Sequence, residues 1–519
     1  MKFGVPTALP SPWPHLLESN DAPNEVEITS IRQFILEHQA RLEILDNQAP
    51  ATLSSSSRDA LAYSIQRHRS ILSAVRRVPP ELWSEIFELL TPFTRYVGPA
   101  HAVDSPPWPL TFICRSWRDT ALLNPFLWCT INIVRPTQLP LVYTHPLSSI
   151  ETQLHRSAKV PLKVSVDWWG GEDAAEESLL DLLILHSSRW RTFQARIMGR
   201  DIGILGRLQG VRTHIPQLRK FSCISRTNLC YTTPEHALTG APSLREIILA
   251  DATSHCASPR FYVPWAQITR CQGVFDTRVQ LEIMFAAPNL VQCTMSSTSA
   301  LVQVPPPDMG IAVLPHLRRL CLDEDFVLNH ISAPALEELR LEGPLDLALP
   351  FFQRSASSSE SCPLTKLVLD QGWTDDAPCI ILQVLKLLPA LELLMMDRFP
   401  GTEPQGFWNA MTLSESESGT DCKGLCPNLT SIACPWLRDD ASETLTIEAF
   451  FTMLRSRRRR HCGGLKSVRL LTFPCYKYIA RFEEAQQRLA EELVGIHLPF
   501  LFHAQWDETM ERCRFDYYE

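Results

Sequence analysis

An α/β fold, with a helical N-terminal part leading into a solenoid of short strands, is predicted for this 519-residue chain by three observations. A six-residue apolar frame recurs from residue 190 onward, at intervals suited to one strand plus a return segment. Before it, apolar residues repeat at helical spacing. Proline outnumbers glycine 40 to 20, the reverse of ordinary usage, and many prolines keep a fixed offset from the frame. The composition, 45% hydrophobic and 20% charged, excludes a disordered or collagen-like chain. A net charge of -8 argues against nucleic-acid binding driven by bulk charge. Scarce glycine disfavours dinucleotide loops and phosphate cradles.

Residues 1–23 read as a flexible lead. Met1–Pro14 holds four prolines and no continuous apolar run, so no secretory signal is expected. Ile28, Ile31, Ile35, His38, Leu42 and Leu45 then make a helical stripe, with Asn24 or Asp21 as its cap. Leu61, Ile65, His68, Leu72 and Val75 make a second. Joined by a short polar loop, the two predict an antiparallel helical hairpin over residues 24–77. His38 and His68 are expected to pack rather than to hold a metal.

Residues 78–130 form a second helical block. Pro80 suits the first turn of a helix, where its missing N–H is not needed. Leu82, Ile86, Leu89 and Leu90 share one face of that helix, and Glu85 and Glu88 mark another. After a proline-rich loop, Leu110, Ile113, Cys114, Trp117 and Ala121 predict one further short helix, and Pro125-Phe126-Leu127-Trp128 closes the block. Three elements in this order, Pro79-Pro80-Glu81-Leu82 with Ile86-Phe87, Cys114-Arg115-Ser116-Trp117-Arg118, and Pro125-Phe126-Leu127-Trp128, resemble those of an F-box. Val78 stands where the family usually has leucine, and Tyr96–Pro109 lengthens the gap between the elements. The resemblance implies docking onto the Skp-family adaptor, and through it a cullin, of an SCF-type ubiquitin ligase. Carried over residue by residue, the adaptor-binding set is Pro79, Pro80, Leu82, Ile86, Leu110, Ile113 and Trp117.

From there to residue 475 one phrase recurs, apolar-x-x-apolar-x-apolar. Its first residue, the anchor, is Trp190, Leu218, Leu244, Ile268, Leu290, Leu317, Leu336, Leu364, Leu391, Leu429 and Leu465 in turn. Successive gaps are 28, 26, 24, 22, 27, 19, 28, 27, 38 and 36 residues, and seven anchors follow a proline two residues earlier. The frame resembles the L-x-x-L-x-L core of leucine-rich repeats, without their asparagine ladder. The expected architecture is therefore a helical hairpin and F-box helices followed by a leucine-rich-repeat-like α/β solenoid. In it the prolines stop the preceding helix and set an extended approach to each strand. Ile479, Phe482, Leu489 and Leu493 predict a C-terminal helical cap over residues 476–519. The whole arrangement resembles a large fungal F-box family.

No hydrolase, metalloprotease, Walker or dinucleotide motif is present, so a non-enzymatic chain without cofactors is expected. Sixteen irregularly spaced cysteines suggest a reducing cytoplasm or nucleus. Cys223, Cys271, Cys293 and Cys434 occupy frame positions and read as core. Cys422, Cys426, Cys434 and His461-Cys462 fit no common zinc spacing. The apolar stretch Cys379–Met396 is too interrupted for a membrane span and reads as buried helix and strand. Asn428-Leu429-Thr430 matches the glycosylation pattern, which matters only on secretion. The basic run Arg455–His461 reads as the solvated end of a helix, with nuclear import as the other reading. Ser355–Ser361 and Ser414–Ser418 read as loops.

Asp323, Glu342, Asp370 and Asp397 follow the frame in four consecutive units. In register they would make an acidic strip for a basic client segment; the competing reading makes each a cap. Together with Arg340 they form the candidate client-binding set. The expected role is a substrate-recruiting adaptor subunit with an unknown client, no membrane and no nucleic acid. A ligase-independent protein-binding scaffold is the alternative.

Overall fold

The computed structural model describes residues 10–47, 55–90, 107–133, 147–168, 174–197, 207–208, 211, 215–225, 236–251, 262–297, 310–323, 325–341, 345, 347–356, 362–369, 377–396, 404–415, 422–435, 443–457, 467–472 and 501–502. The protein is mixed α/β and divides into two compact units, Met1–Val166 and Asp167–Glu519.

The first unit begins with α1 (Pro14–Glu18), α2 (Glu25–Asn47) and α3 (Ser55–Ile71). Asn24 caps α2 through a reciprocal box: its Oδ1 accepts from Glu27 N–H at 2.9 Å, and Glu27 Oε2 accepts from Asn24 N–H at 2.8 Å. α2 and α3 run antiparallel, since Phe34 meets His68 at one end and Arg58 meets Asp46 at the other. Ile31, Ile35, Leu61, Ile65 and Ile71 form the core between them. The lead expected to be flexible contributes α1, and its Leu16 is buried in that same core. His68 is also buried. Its Nδ1 lies 2.7 Å from the Ser64 carbonyl, which can only accept, so Nδ1 carries the proton and Nε2 accepts from the Ser11 hydroxyl at 2.8 Å. Burial depresses its pKa, and His38 and Arg67 push the same way.

Next come α4 (Pro80–Leu90), α5 (Leu110–Ile113), α6 (Arg115–Leu123), β1 (Thr130–Ile133), α7 (Leu147–Arg156) and β2 (Leu162–Trp168). β1 and β2 pair in parallel. The sequence predicts one helix over 110–121; the chain breaks it at Cys114, which is extended at φ -156°.

The second unit holds a 12-strand parallel sheet whose strand order follows the chain. The unit's strands are β3 (Trp190–Ile197), β4 (Lys220–Ser225), β5 (Glu246–Asp251), β6 (Arg270–Phe275), β7 (Gln292–Ser297), β8 (Ala312–Val313), β9 (Arg319–Leu322), β10 (Ile331–Ser332), β11 (Glu338–Leu341), β12 (Lys366–Leu369), β13 (Leu393–Met396), β14 (Ser414–Glu415), β15 (Cys422–Lys423), β16 (Ser431–Pro435), β17 (Ser467–Thr472) and β18 (Leu501–Phe502). β8 pairs with β10 and β14 with β15, outside the main sheet.

The frame maps onto this sheet in register. Phe221, Ile247, Cys271, Cys293, Leu320, Leu339, Leu367, Leu394 and Ile432 are successive ladder partners. All of them are buried, as are the anchors from Trp190 to Leu429. Helices Thr277–Ala286, Ala348–Ala356, Ala377–Lys386, Pro404–Met411 and Glu443–Arg457 lie in five of the return segments and bury Met284, Phe351, Val384, Trp408 and Phe451. The shortest gap, 19 residues, has room only for the 3₁₀ turn Asp325–His330.

The prolines act differently from the expectation. Each strict proline is the second residue of a β-turn, in which the anchor N–H returns to the carbonyl three residues back at 3.2–3.3 Å. Those carbonyls belong to Ile215, Ala241, Ala287, Leu314, Ala333, Leu388 and Cys426, all of which are buried. The frame therefore has a fourth inward position, the apolar residue immediately before each proline.

Two arginines close turns from inside. Arg457, expected to be solvated, is 2% exposed. It donates to the Met411 carbonyl from Nε at 3.1 Å and Nη2 at 2.7 Å, to Cys426 O at 2.7 Å and to Leu425 O at 2.6 Å. Helix-end carbonyls carry partial negative charge, which suits a cation there. Burial lowers the Arg457 pKa to about 10, so it stays charged at neutral pH. Arg354 likewise donates to the Leu328 and Ile331 carbonyls.

Residues 342–344, 357–361, 370–376, 397–403, 416–421, 458–466 and 473–500 lie outside the description. With them lie most of both serine tracts, the rest of the basic run and the residues predicted to form the C-terminal cap. Ser355 is described: it is buried, and its hydroxyl accepts from Ala333 N–H at 3.1 Å. Among the described residues no helix is long and apolar enough to cross a membrane.

Gly273 stands at the last apolar position of its frame. A Cβ there would lie 2.3 Å from the Leu249 carbonyl oxygen and 2.4 Å from the Phe275 ring. Gly273→Ala is expected to lower stability by about 1–3 kcal/mol in urea unfolding; an unchanged midpoint would show that the strands yield. Because folding depresses the His68 pKa, its stabilising effect is complete above the unfolded value near 6.5 and is lost as pH falls. Thermal melts of wild type should shift down between pH 7 and 5, and His68→Gln should flatten that slope.

Candidate docking surface

The block from Val78 to Trp128 is assembled around aromatic side chains. Trp83 and Phe87 project from one side of α4 into a core with Leu110, Ala121, Leu127 and Trp128, against which Trp117 packs. Ring centroids lie 4.5 Å apart for Trp83–Trp117 and 5.0 Å for Phe87–Trp117. Cys114 Sγ accepts from Trp117 N–H at 3.4 Å and starts α6. Arg118 Nε donates to Thr111 O at 2.7 Å, tying α6 back to α5.

The closing element is fixed by one amide. Asn124 Nδ2 donates to Ser84 Oγ at 2.5 Å and to Glu88 Oε1 at 2.8 Å, while its Oδ1 accepts from Phe126 N–H at 3.0 Å. Trp128 Nε1 donates to Ala121 O at 2.8 Å. The Arg156 guanidinium lies 4.4 Å from the Trp128 ring and 4.8 Å from Trp108, and burial lowers its pKa.

With Trp83, Phe87, Trp117 and Trp128 turned inward, several other large apolar residues face out. Leu82 is 50% exposed, Leu89 79%, Phe112 60% and Leu123 82%. Ile86, Leu90, Ile113 and Phe126 are exposed as well. α4 thus has two apolar sides, and the stripe seen in the sequence is the outer one. Of the seven residues drawn from the motif, Pro79, Pro80, Leu82, Ile86 and Ile113 are exposed. Leu110 is buried and Trp117 half-buried, both in the core. Leu89, Leu90, Phe112, Leu123 and Phe126 were not singled out for this surface. The available signal was the spacing of Trp83 and Phe87, which already supplies α4 with an inward side.

No protein-family model matches this chain, and no curated protein is significantly similar to it.

Of the client set, Glu342, Asp370 and Asp397 lie outside the described residues. Asp323 is half-buried and accepts from Ser297 N–H at the end of β7, so it closes the neighbouring strand. Arg340 is 4% exposed, held in a ladder row between Cys321 and Val368, and so is not presented at the surface. In the same row Val368, Met395 and Ala433 form a second apolar cluster on the sheet face opposite the frame.

The frame cysteines are not set up as ligands. Cys223 is pushed up to about 12 by burial, and Cys434 further still. Cys293 is raised by its hydrogen bond with Cys271 and by burial. Protonated, buried thiols neither attack nor bind metal. Among the described residues no group of three His, Cys, Asp or Glu side chains could hold a metal ion.

Asn124→Ala would leave Phe126 N–H and the Ser84 hydroxyl without this partner. It is expected to cost about 1–3 kcal/mol in denaturant unfolding, with the loss confined to the first unit on limited proteolysis.

Proposed function

We propose that this chain is the substrate-recruiting subunit of an SCF-type ubiquitin ligase. Residues 78–128 act as an F-box that docks the Skp-family adaptor, and through it a cullin. The second unit acts as a leucine-rich-repeat-like solenoid that holds a client protein. Ubiquitin transfer is carried out by the partner chains, in the cytoplasm or nucleus, and this chain needs no cofactor.

One observation carries the reading. The block turns Trp83, Phe87, Trp117 and Trp128 inward and leaves Leu82, Ile86, Leu89, Phe112 and Ile113 in water. A folded domain rarely exposes so many large apolar side chains on neighbouring elements without a partner for them. Burying about five of them corresponds to roughly 8–15 kcal/mol of gross transfer free energy before association costs. That suffices for a stable subunit contact without ion pairs. The in-register frame supports the repeat reading of the second unit.

Co-expression with a tagged Skp-family adaptor should co-purify the full chain. Leu82→Ser with Ile86→Ser should weaken capture by roughly 100-fold or more, about 3 kcal/mol, without changing the melting midpoint. If wild type shows no capture, the chain is instead a ligase-independent scaffold.

A further inference from the structure

Charge is sorted along the edge where the strands of the second unit begin. The residue after each anchor is Arg191 at the start of β3, Arg219 and Arg245 before β4 and β5, Thr269 and Val291 before β6 and β7, and Arg318 before β9. The three arginines are stacked directly, since Arg219 N–H donates to Arg191 O and Arg245 N–H to Arg219 O. One position further on stand Lys220, Arg270 and Arg319, and the single carboxylate at either position is Glu246, held by Lys220 at 2.7 Å. From β11 onward the same edge carries Glu337, Glu338 and Glu392, with Lys366 as its one cation among the described residues, paired with Glu338. In a chain of net charge -8 this basic stretch runs against the overall trend. Arg191 and Arg219 are exposed and make no side-chain hydrogen bond or ion pair among the described residues.

The small side chains of Thr269 and Val291 leave a groove of about 610 Å³ between Arg245 and Arg318. Gln267 and Asn289 line it, and their amide nitrogens are already committed, to Ala241 O at 2.6 Å and Ala266 O at 2.7 Å. Their amide oxygens remain to accept. The groove therefore presents cations at both ends and acceptors between them. An extended peptide answers that pattern, with backbone N–H groups in the middle and carboxylates outside; a DNA backbone has no donor to offer the amides. Arg245 and Arg318 lie three strand spacings apart, roughly 14 Å, the span of about four residues of extended chain. Arg318 also meets Glu337 at 2.6 Å, but in an exposed pair, which holds it weakly. Arg245 Nη1 donates to the Pro242 and Leu244 carbonyls at 3.1 and 2.8 Å, which fixes its head at the groove and leaves its charge uncompensated among the described residues.

We infer that this edge binds an extended acidic peptide segment of a partner protein, with carboxylates about four residues apart reaching Arg245 and Arg318. This names the class of client for the second unit, and it rests on the reading of that unit as the client-holding part. It also reverses the polarity expected from the acidic strip.

The test is fluorescence anisotropy on the full chain with a labelled Gly/Ser peptide carrying two glutamates four residues apart. The controls are the same peptide with two glutamines, one with adjacent glutamates, and a labelled single-stranded oligonucleotide. The spaced acidic peptide should bind at least tenfold more tightly than either peptide control, with affinity falling steeply with salt. Arg245→Glu with Arg318→Glu should abolish that preference, and Arg191→Ala with Arg219→Ala should weaken it less. Equal binding of acid and amide peptides would overturn the inference, as would tighter binding of the oligonucleotide at the same arginines. Adaptor capture, measured on the same variants, reports separately on the F-box reading, so the two ideas fail by different results.

Discussion

One backbone carbonyl per unit holds the second half of this protein together. The residue after each anchor turns its C=O toward the next strand, where it accepts two N–H groups. Arg219 O receives Arg245 and Glu246; Arg245 O receives Thr269 and Arg270; the pattern continues through the carbonyls of Thr269, Val291, Arg318, Glu337, Thr365 and Glu392. A carbonyl oxygen has two lone pairs, and both are used here at the place where a strand enters the sheet. The register of every later residue is thereby set. A slip of one residue would send the whole frame to the other face. The proline turn just upstream serves the same junction, since it aims the anchor inward before the double bond is made.

That junction explains why side chains elsewhere in the unit act on carbonyls. Return segments of unequal length must all come back to the same spacing, and they leave unpaired acceptors where helices and turns end. Arg457 and Arg354 reach across to those acceptors, and Ser355 and Ser456 accept the corresponding N–H groups. A lysine would not substitute at Arg457, because four hydrogen bonds to three carbonyls require the planar fork of a guanidinium.

In the first unit the same economy is achieved with aromatic rings. Trp83, Phe87, Trp117 and Trp128 fill a small core that aliphatic residues could fill only with more chain. The consequence is an α4 helix that needs no leucine inside and carries three leucines and an isoleucine outside. The surface proposed for the adaptor is thus a by-product of how that core is built. Asn124 matters for the same reason: one amide joins the start and the end of the block, which the chain separates by 36–40 residues.

Much of this was legible in the primary structure. The helical stripes over 28–45 and 61–75 pack as an antiparallel hairpin except at Val75, which lies beyond α3 and is exposed, and the anchors from Trp190 to Leu429 and the ladder residues are buried as the frame required. Local periodicity determines such features, because 3.6 and 2 residues per repeat leave a readable trace. The positions of the prolines were legible but their turn role was not, since proline suits an extended approach as well as the second place of a β-turn. What only the tertiary structure decided were choices between equals. Leu82 and Trp83 are both apolar neighbours on one helix, and which faces water depends on the core made by residues 110–128. Arg455 and Arg457 belong to one basic run, yet one is exposed and the other buried, because Met411 and Cys426 arrive from elsewhere in the chain. Arg191, Arg219 and Arg245 are 26 to 28 residues apart in sequence and become a row only through strand stacking. The sequence by itself determined where the chain turns inward; the fold decided which of its outward residues meet.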